Sequence, residues 1–179
     1  MTYLYDEDFM QYAIRLARIA GKKGEIPVGA VLVQNKNQCI IGKGWNQSIT
    51  LRDPTAHAEI VAIRQGGKII QNYRLLDTTL YVTLEPCMMC TGAIIHSRIQ
   101  RLVYGASDTK SVNTKTVLDI MKQHKINPRI EIKKNILAPE CASILRSFFF
   151  PVENNKKIPY NLLNVINIIH KSNFNIGYI

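Results

Sequence analysis

A chain of 179 residues with 46% hydrophobic and 20% charged side chains fits one folded domain with a sizeable core and is too short for two comfortable ones. No apolar run is long enough to cross a membrane, and four cysteines in a chain of this size do not form a disulfide framework; a membrane protein and a disulfide-stapled secreted domain are excluded, and a reducing, cytoplasmic compartment is expected. The formal net charge of +10 favours polyanionic partners, nucleic acid first, although AU-rich codons for Lys, Asn and Ile would give the same excess.

The N-terminal MTYLYDEDFM is acidic and lacks the basic segment and apolar stretch of a signal peptide. Asp6 is placed to cap a helix running to about Lys22. Phe9, Ala13, Leu16, Ala17 and Ala20 recur at helical spacing and predict its buried face, with Gly21 and Gly24 available to end it. PVGAVLVQN reads as a strand with a near-continuous apolar run, Asn35 to Asn37 as a turn, and CIIGKGWN as the hairpin partner. Residues 47–55 are polar and end in Asp53-Pro54-Thr55, a loop; Thr55 is a candidate cap for a helix AHAEIVAIRQ that stops at Gly66-Gly67.

TTLYVTL, rich in β-branched and aromatic residues, is a strand, and CMMCTGAIIHS a short helix. RLVYGA is another strand, with Leu102 and Tyr104 on one face and Val103 on the other. A helical turn near Val117–Gln123, a weaker strand in IEIKKNI and a helix from Pro139 to Phe149 follow. The alternation of helices and strands points to an α/β sandwich whose central sheet has helices on both faces. Beyond Phe150 the composition shifts to Asn, Lys and Ile. Leu162, Val165, Ile166 and Ile169 line one face of a last helix, unless the segment is a loosely docked tail.

Cys87 and Cys90, in LEPCMMC, form either a redox dithiol or part of a metal site; Cys39 and Cys141 stand alone, so no second pair completes a four-cysteine centre. His57, in TAHAEI, supplies the missing ligand. Like Cys87 it falls in the first turn of a helix that follows a strand or loop. One His and two Cys make three protein ligands for zinc and leave a fourth position open for water, as catalysis requires. Cys87 and Cys90 are three apart, so both sulfurs lie on one helical face, where the unpaired N–H groups of a first turn favour thiolates. Pro86 pre-sets the helix entry.

Glu59, two residues beyond His57, reaches the space beside that water, where a carboxylate takes a proton and returns it to a leaving group. H-x-E followed by P-C-x-x-C is the signature of zinc-dependent nucleobase deaminases. His96 is placed for the helix dipole rather than for a metal, and Cys141 and Cys39 are expected as buried small hydrophobes.

GEIPVGAVLV, GKGWN, DPTAHAEI, RQGG, NYRL, TLYVTLEPCMMC, GAIIHSRI and LAPECA together resemble the bacterial tRNA-specific adenosine deaminase family, almost without gaps from about residue 6 to 150. The resemblance implies a cytidine deaminase-like, three-layer α/β/α sandwich with a central five-stranded mixed sheet over residues 1–150, followed by the tail 151–179. It implies a homodimer with one zinc ion per subunit, held by His57, Cys87 and Cys90. The implied partner is a tRNA anticodon stem-loop, typically of the arginine tRNA, whose wobble adenosine is hydrolysed to inosine with release of ammonia while Glu59 shuttles protons.

By matched position, Asn46 hydrogen-bonds the flipped nucleoside, the backbone of Leu84 and Glu85 borders the same pocket, and Ile26, Pro27 and Val28 form an apolar wall for the base. Asp108 and Lys110 match a loop that contacts the anticodon backbone and sugars, and Phe148 and Phe149 match a helix whose aromatic residues approach flanking bases.

The chain departs from the family where the loop after Asp108 reads TKSVNTKTVLD, without the glycines that permit tight turns, and where Gln47 and Ser48 replace a basic residue and a proline. Neither change touches the zinc ligands or Glu59. A free-base or nucleoside deaminase acting on cytosine, cytidine or guanine would share the metal chemistry but not the need for a basic RNA face. A catalytically silent RNA-binding subunit would have lost Glu59 or a ligand, and this chain keeps all four.

Overall fold

The computed structural model describes residues 5–107 and 130–150, with the backbone of 152–153 and 156–157. Helix α1 (Asp6–Lys22) buries Phe9, Met10, Ala13, Ile14, Ala17 and Ala20, a stripe spaced by three and four residues. Met10 and Ile14 thus join the predicted face, and Leu16 is only half-buried. Strands β1 (Gly29–Gln34) and β2 (Cys39–Trp45) form the expected hairpin. A short helix α2 (Ser48–Leu51) and a longer α3 (Ala58–Ile70) precede β3 (Thr78–Leu84); α4 (Met88–His96), β4 (Arg101–Ala106), β5 (Glu131–Lys133) and α5 (Ala138–Phe149) follow.

The sheet order is β2-β1-β3-β4-β5. β1 is antiparallel to both neighbours, and β3, β4 and β5 run parallel, so the sheet is mixed and five-stranded as expected. Strand alternation divides the core in two. Ala30, Leu32, Leu80, Val82, Leu102 and Tyr104 face Ala58 and Ala62 of α3 and Ile94 of α4. Val31, Val33, Tyr81 and Val103 face α1 and Cys141 of α5. The continuous apolar runs of β1 and β3 are what a sheet covered on both faces requires.

Two glycines set the spacing of one layer. A Cβ on Gly44 would run into the carbonyl oxygen of Ala58, and one on Gly42 into that of Ala62. The backbone of α3 therefore rests directly on that of β2. Gly66 plays a related part: the Leu32 side chain fills the space where its Cβ would be. This is why α3 continues through Gly66-Gly67 to Ile70 instead of stopping there; tertiary contact outweighs the poor helix propensity of glycine.

Other expectations need correction. Thr55 does not cap α3, because its N–H and hydroxyl both bond to Asp53 Oδ1, at 2.8 and 2.7 Å; His57 occupies the cap position. The polar 47–55 segment contains α2, which is too short to show periodicity. The IEIKKNI strand shrinks to the three residues of β5. Cys39 is exposed, not buried, while Cys141 is buried as expected. The proposed helical turn at 117–123 and the helix through Leu162–Ile169 lie outside the described residues. After α5, Val152–Glu153 pairs with Lys156–Lys157 in a separate two-stranded ribbon.

Asp6 is the first residue of α1 and not its cap; Tyr5 holds that position, and its N–H donates to Asp8 at 2.8 Å. The Asp6 carboxylate is used across the molecule. It accepts from Arg101 Nη1 at 2.6 Å and Nη2 at 2.9 Å, from the Tyr81 hydroxyl at 2.9 Å and from Lys133 Nζ at 2.7 Å. The Arg101 guanidinium leads these in holding the carboxyl well below the usual carboxylate range, against the opposing effect of burial.

Asp6→Asn is expected to lower stability by about 2 kcal/mol at neutral pH. The folded-state pKa lies below the unfolded one, so the contribution is complete above the unfolded value near about 4 and is lost as pH falls below it. Thermal melts of both proteins at about pH 7 and about pH 3 check this. The gap should narrow in acid, and a constant gap would show that the ionised carboxylate is not its source.

Candidate metal centre

The strand register brings one edge of the sheet together. Gly29 pairs with Trp45, Ala30 with Val82, and Leu84 with Ala106. The start of β1 and the ends of β2, β3 and β4 therefore share this edge, where open α/β sheets carry their sites. α3 starts here, after the loop that leaves β2, and α4 starts here after β3. Their caps are His57 and Cys87, each with extended backbone, one residue earlier than the predicted first turns. Cys90 lies in the first turn of α4.

His57 Nδ1 is 3.6 Å from the Sγ of Cys87 and 3.6 Å from that of Cys90. The three donor atoms lie within 4.8 Å of one another, a group that could hold a metal ion. Tetrahedral zinc, with bonds of about 2.3 Å to sulfur and about 2.0 Å to nitrogen, separates those two donors by about 3.6 Å. The chain already holds them at that spacing, so the donor set fits zinc in both chemistry and size. Cys90 is buried, His57 half-buried and Cys87 exposed, which leaves the group reachable from one side.

The three groups perturb one another. Hydrogen bonds from Cys90 and His57 bring the Cys87 thiol down to about 3. The same contact with Cys87, reinforced by burial, pushes Cys90 up, and Cys87 also draws His57 up. Glu59, in the first turn of α3, is only 4% exposed. Burial pushes its carboxyl up from the ordinary range, partly offset by a bond to its own N–H and by the charge of His57.

Around this group the structure collects most of the other predicted residues. Asn46, buried at the end of β2, accepts from the Ala58 N–H through Oδ1 at 2.9 Å, and its own N–H donates to the Val28 carbonyl at 3.1 Å. With Oδ1 committed to the start of α3, Nδ2 is the end of the side chain left to donate outward. Val28 is buried in the cluster that includes Ala58. Leu84 and Glu85 are half-buried at the end of β3, and the Glu85 N–H bonds to the Ala106 carbonyl at 2.8 Å.

Asp108 and Lys110 lie outside the described residues. Phe149 is half-buried in the last turn of α5, its ring edge-to-face with Phe148 at 5.4 Å. That helix packs on the α1 side through Cys141, Ala142 and Ile144, while its Leu145 reaches the cluster shared with α3. Phe148, with Arg18, Lys22 and Pro27, lines a groove of about 380 Å³ between α1 and α5. A groove of about 600 Å³ beside Lys68, Tyr73 and His96 lies toward the far ends of α3 and α4 and contains none of the predicted residues.

Sequence reading missed Glu25. It is 1% exposed, and its carboxylate accepts from the Thr50 N–H at 2.7 Å and the Ile49 N–H at 3.1 Å. The available signal was an acid at the head of the apolar run IPVGAVLV, a position where burial demands donors.

Residues 4–106 match the family model of the cytidine and deoxycytidylate deaminase zinc-binding region, a span that contains His57, Glu59, Cys87 and Cys90. The chain is 54% identical to the tRNA-specific adenosine deaminase of Haemophilus influenzae over 159 residues, 89% of this chain and 91% of that one. It is 55% identical to the tRNA-specific adenosine deaminase of Buchnera aphidicola over 147 residues, 80% of this chain and 88% of that one. A solved structure from studies of A-to-I editing by tRNA deaminases at the wobble position superposes with a TM-score of 0.71 at 39% identity, covering 77% of this chain and 99% of that one. The motifs that suggested a zinc-dependent deaminase are therefore carried within sequence and fold alike, and the chain belongs to the tRNA-specific adenosine deaminase family, among the zinc-binding cytidine and deoxycytidylate deaminases.

Proposed function

We propose that this chain deaminates adenosine to inosine at the wobble position of a tRNA anticodon, with His57, Cys87 and Cys90 as the zinc ligands and Glu59 as the proton shuttle. The observation that carries this reading is the convergence of the three donors on one point with a buried carboxylate two residues from His57. When bound, zinc lowers the pKa of a water in its open position toward neutrality.

Glu59 takes a proton from the attacking water as oxygen bonds to C6 of adenine, and passes it to a ring nitrogen. It then moves the second proton of that water to the exocyclic amine. The C–N bond breaks, ammonia leaves, and the carbonyl of inosine remains. Asn46 Nδ2 donates to the flipped nucleoside, the backbone of Leu84 and Glu85 borders it, and Val28 lies in the apolar wall.

Asp108, Lys110 and Phe149 are proposed to contact the RNA outside this pocket, and the net charge of +10 suits a polyanionic substrate. The resemblance supports the arginine tRNA as substrate, a homodimer as the working assembly and the cytoplasm as its compartment. No helix among the described residues is long and apolar enough to cross a membrane.

The test is inosine formation on an arginine anticodon stem-loop with adenosine at the wobble position, read by nucleoside mass. Inosine is expected from the wild-type protein. None, with zinc present, would overturn the substrate assignment and direct the assay to free cytidine and guanine.

A further inference from the structure

Residues 47–56 form a loop whose neck belongs to the site. It leaves from Asn46 and returns at His57, and the Gln47 N–H closes it on the Ala56 carbonyl at 2.9 Å. Within it, α2 carries Ile49 and Leu51 at 64% and 57% exposure, two aliphatic side chains held in water beside the site. Single exposed apolar residues need no explanation, but a pair on a rigidly held turn is a ready contact for a base or sugar.

What holds the turn is Glu25. Its two carboxylate oxygens take the N–H groups of Ile49 and Thr50, donors that a helix start leaves without intrahelical partners. Burial alone would push this carboxyl up, but the Thr50 N–H and hydroxyl and the Ile49 N–H outweigh it, and the acid is held below its ordinary range. Glu25 also heads the segment Ile26–Val28, whose Val28 carbonyl receives the Asn46 N–H. One buried carboxylate thus joins the apolar wall of the pocket to the turn that projects beside it.

We propose that Glu25 is a positioning residue for the RNA substrate, holding the Ser48–Leu51 turn as a preformed apolar edge on which a nucleotide next to the target packs through Ile49 and Leu51. This rests on the reading of the substrate as RNA. It concerns binding outside the base pocket and leaves the chemical step to Glu59.

Glu25→Gln is the sharpest probe. It keeps the volume but sets an amide NH2 against one of the two backbone N–H groups. Amide exchange at Ile49 and Thr50 should accelerate about tenfold or more. The Kd for the anticodon stem-loop should rise about tenfold, with kcat within about twofold and zinc content unchanged. Glu25→Asp, which keeps the charge on a shorter arm, should recover part of the affinity. Ile49→Ser with Leu51→Ser should weaken binding similarly without faster exchange at Thr50, and this pair stands in if the Glu25 variants do not fold.

An unchanged Kd despite faster exchange would overturn the proposal, as would a fall in kcat with loss of zinc, which would make Glu25 a support of the metal centre. If the wild type binds the stem-loop but makes no inosine, the proposed activity fails while the Kd ratio still decides the role of Glu25. If the wild type does not bind the stem-loop, both fall together.

Discussion

Glu59→Ala is expected to lower kcat for inosine formation by at least about 10²-fold, the lower bound of what a positioned acid–base group contributes, while zinc content and stem-loop affinity hold. The carboxylate is 4% exposed in the first turn of α3, and its charge acts directly on His57. Both proton transfers in the proposed reaction need a group that accepts and then donates within reach of the same atoms, so its removal strikes two steps at once. The side chain is not among the three metal donors, and its loss leaves them intact.

Stability should move in the opposite direction from activity. Burial disfavours the ionised carboxyl, so removing it relieves a strain the fold otherwise carries, and the melting temperature should hold or rise. Single-turnover inosine assays, metal analysis and thermal melts on one preparation read all three. Equal rates for variant and wild type would refute the assigned role, and loss of zinc from Glu59→Ala would move the residue into the ligand set.

His57→Ala should lose the metal. His57 Nδ1 is the only nitrogen in the group and stands 3.6 Å from each sulfur, so two thiols alone must hold any ion that remains. Because the donors cap or begin α3 and α4, the ion ties two helix starts together, and its binding energy becomes folding energy. With zinc a thousandfold above Kd the tie is worth about 4 kcal/mol. The wild-type protein should therefore melt at lower temperature after chelation, whereas His57→Ala should melt near the chelated wild type and ignore the chelator. An undiminished zinc content in the variant would count against the ligand assignment.

The metal centre was legible in sequence because its chemistry is local. Cys87 and Cys90 are three apart, Glu59 is two from His57, and each pair meets through the geometry of one helix start. β1, β3 and β4 were legible because their β-branched apolar runs have few other uses. Strand order was not contained in those runs; the family resemblance supplied the number of strands and their mixed sense, and the order is read from the structure. Contacts that join distant residues left no periodic trace. Asp6 meets Arg101 and Lys133, and Glu25 meets Ile49 and Thr50, through acids that a local reading assigns to a cap or leaves unassigned. The passage of α3 through Gly66-Gly67 was hidden for the same reason, since the Leu32 side chain that favours glycine there lies on another element.

The seating of α3 on β2 at Gly42 and Gly44 has a consequence for how the enzyme can change. Main chain bears on main chain there, with no side chain between them to act as a shim. The height of α3 above β2 is then a fixed datum, set by backbone contact rather than by the aliphatic residues that fill the rest of that layer. A side chain such as Ile63, partly buried on α3, can be exchanged and repacked over time without lifting that helix from β2. The start of α3 is insulated from drift in the interior, and Gly42 and Gly44 are positions where any side chain would strike the backbone of that helix.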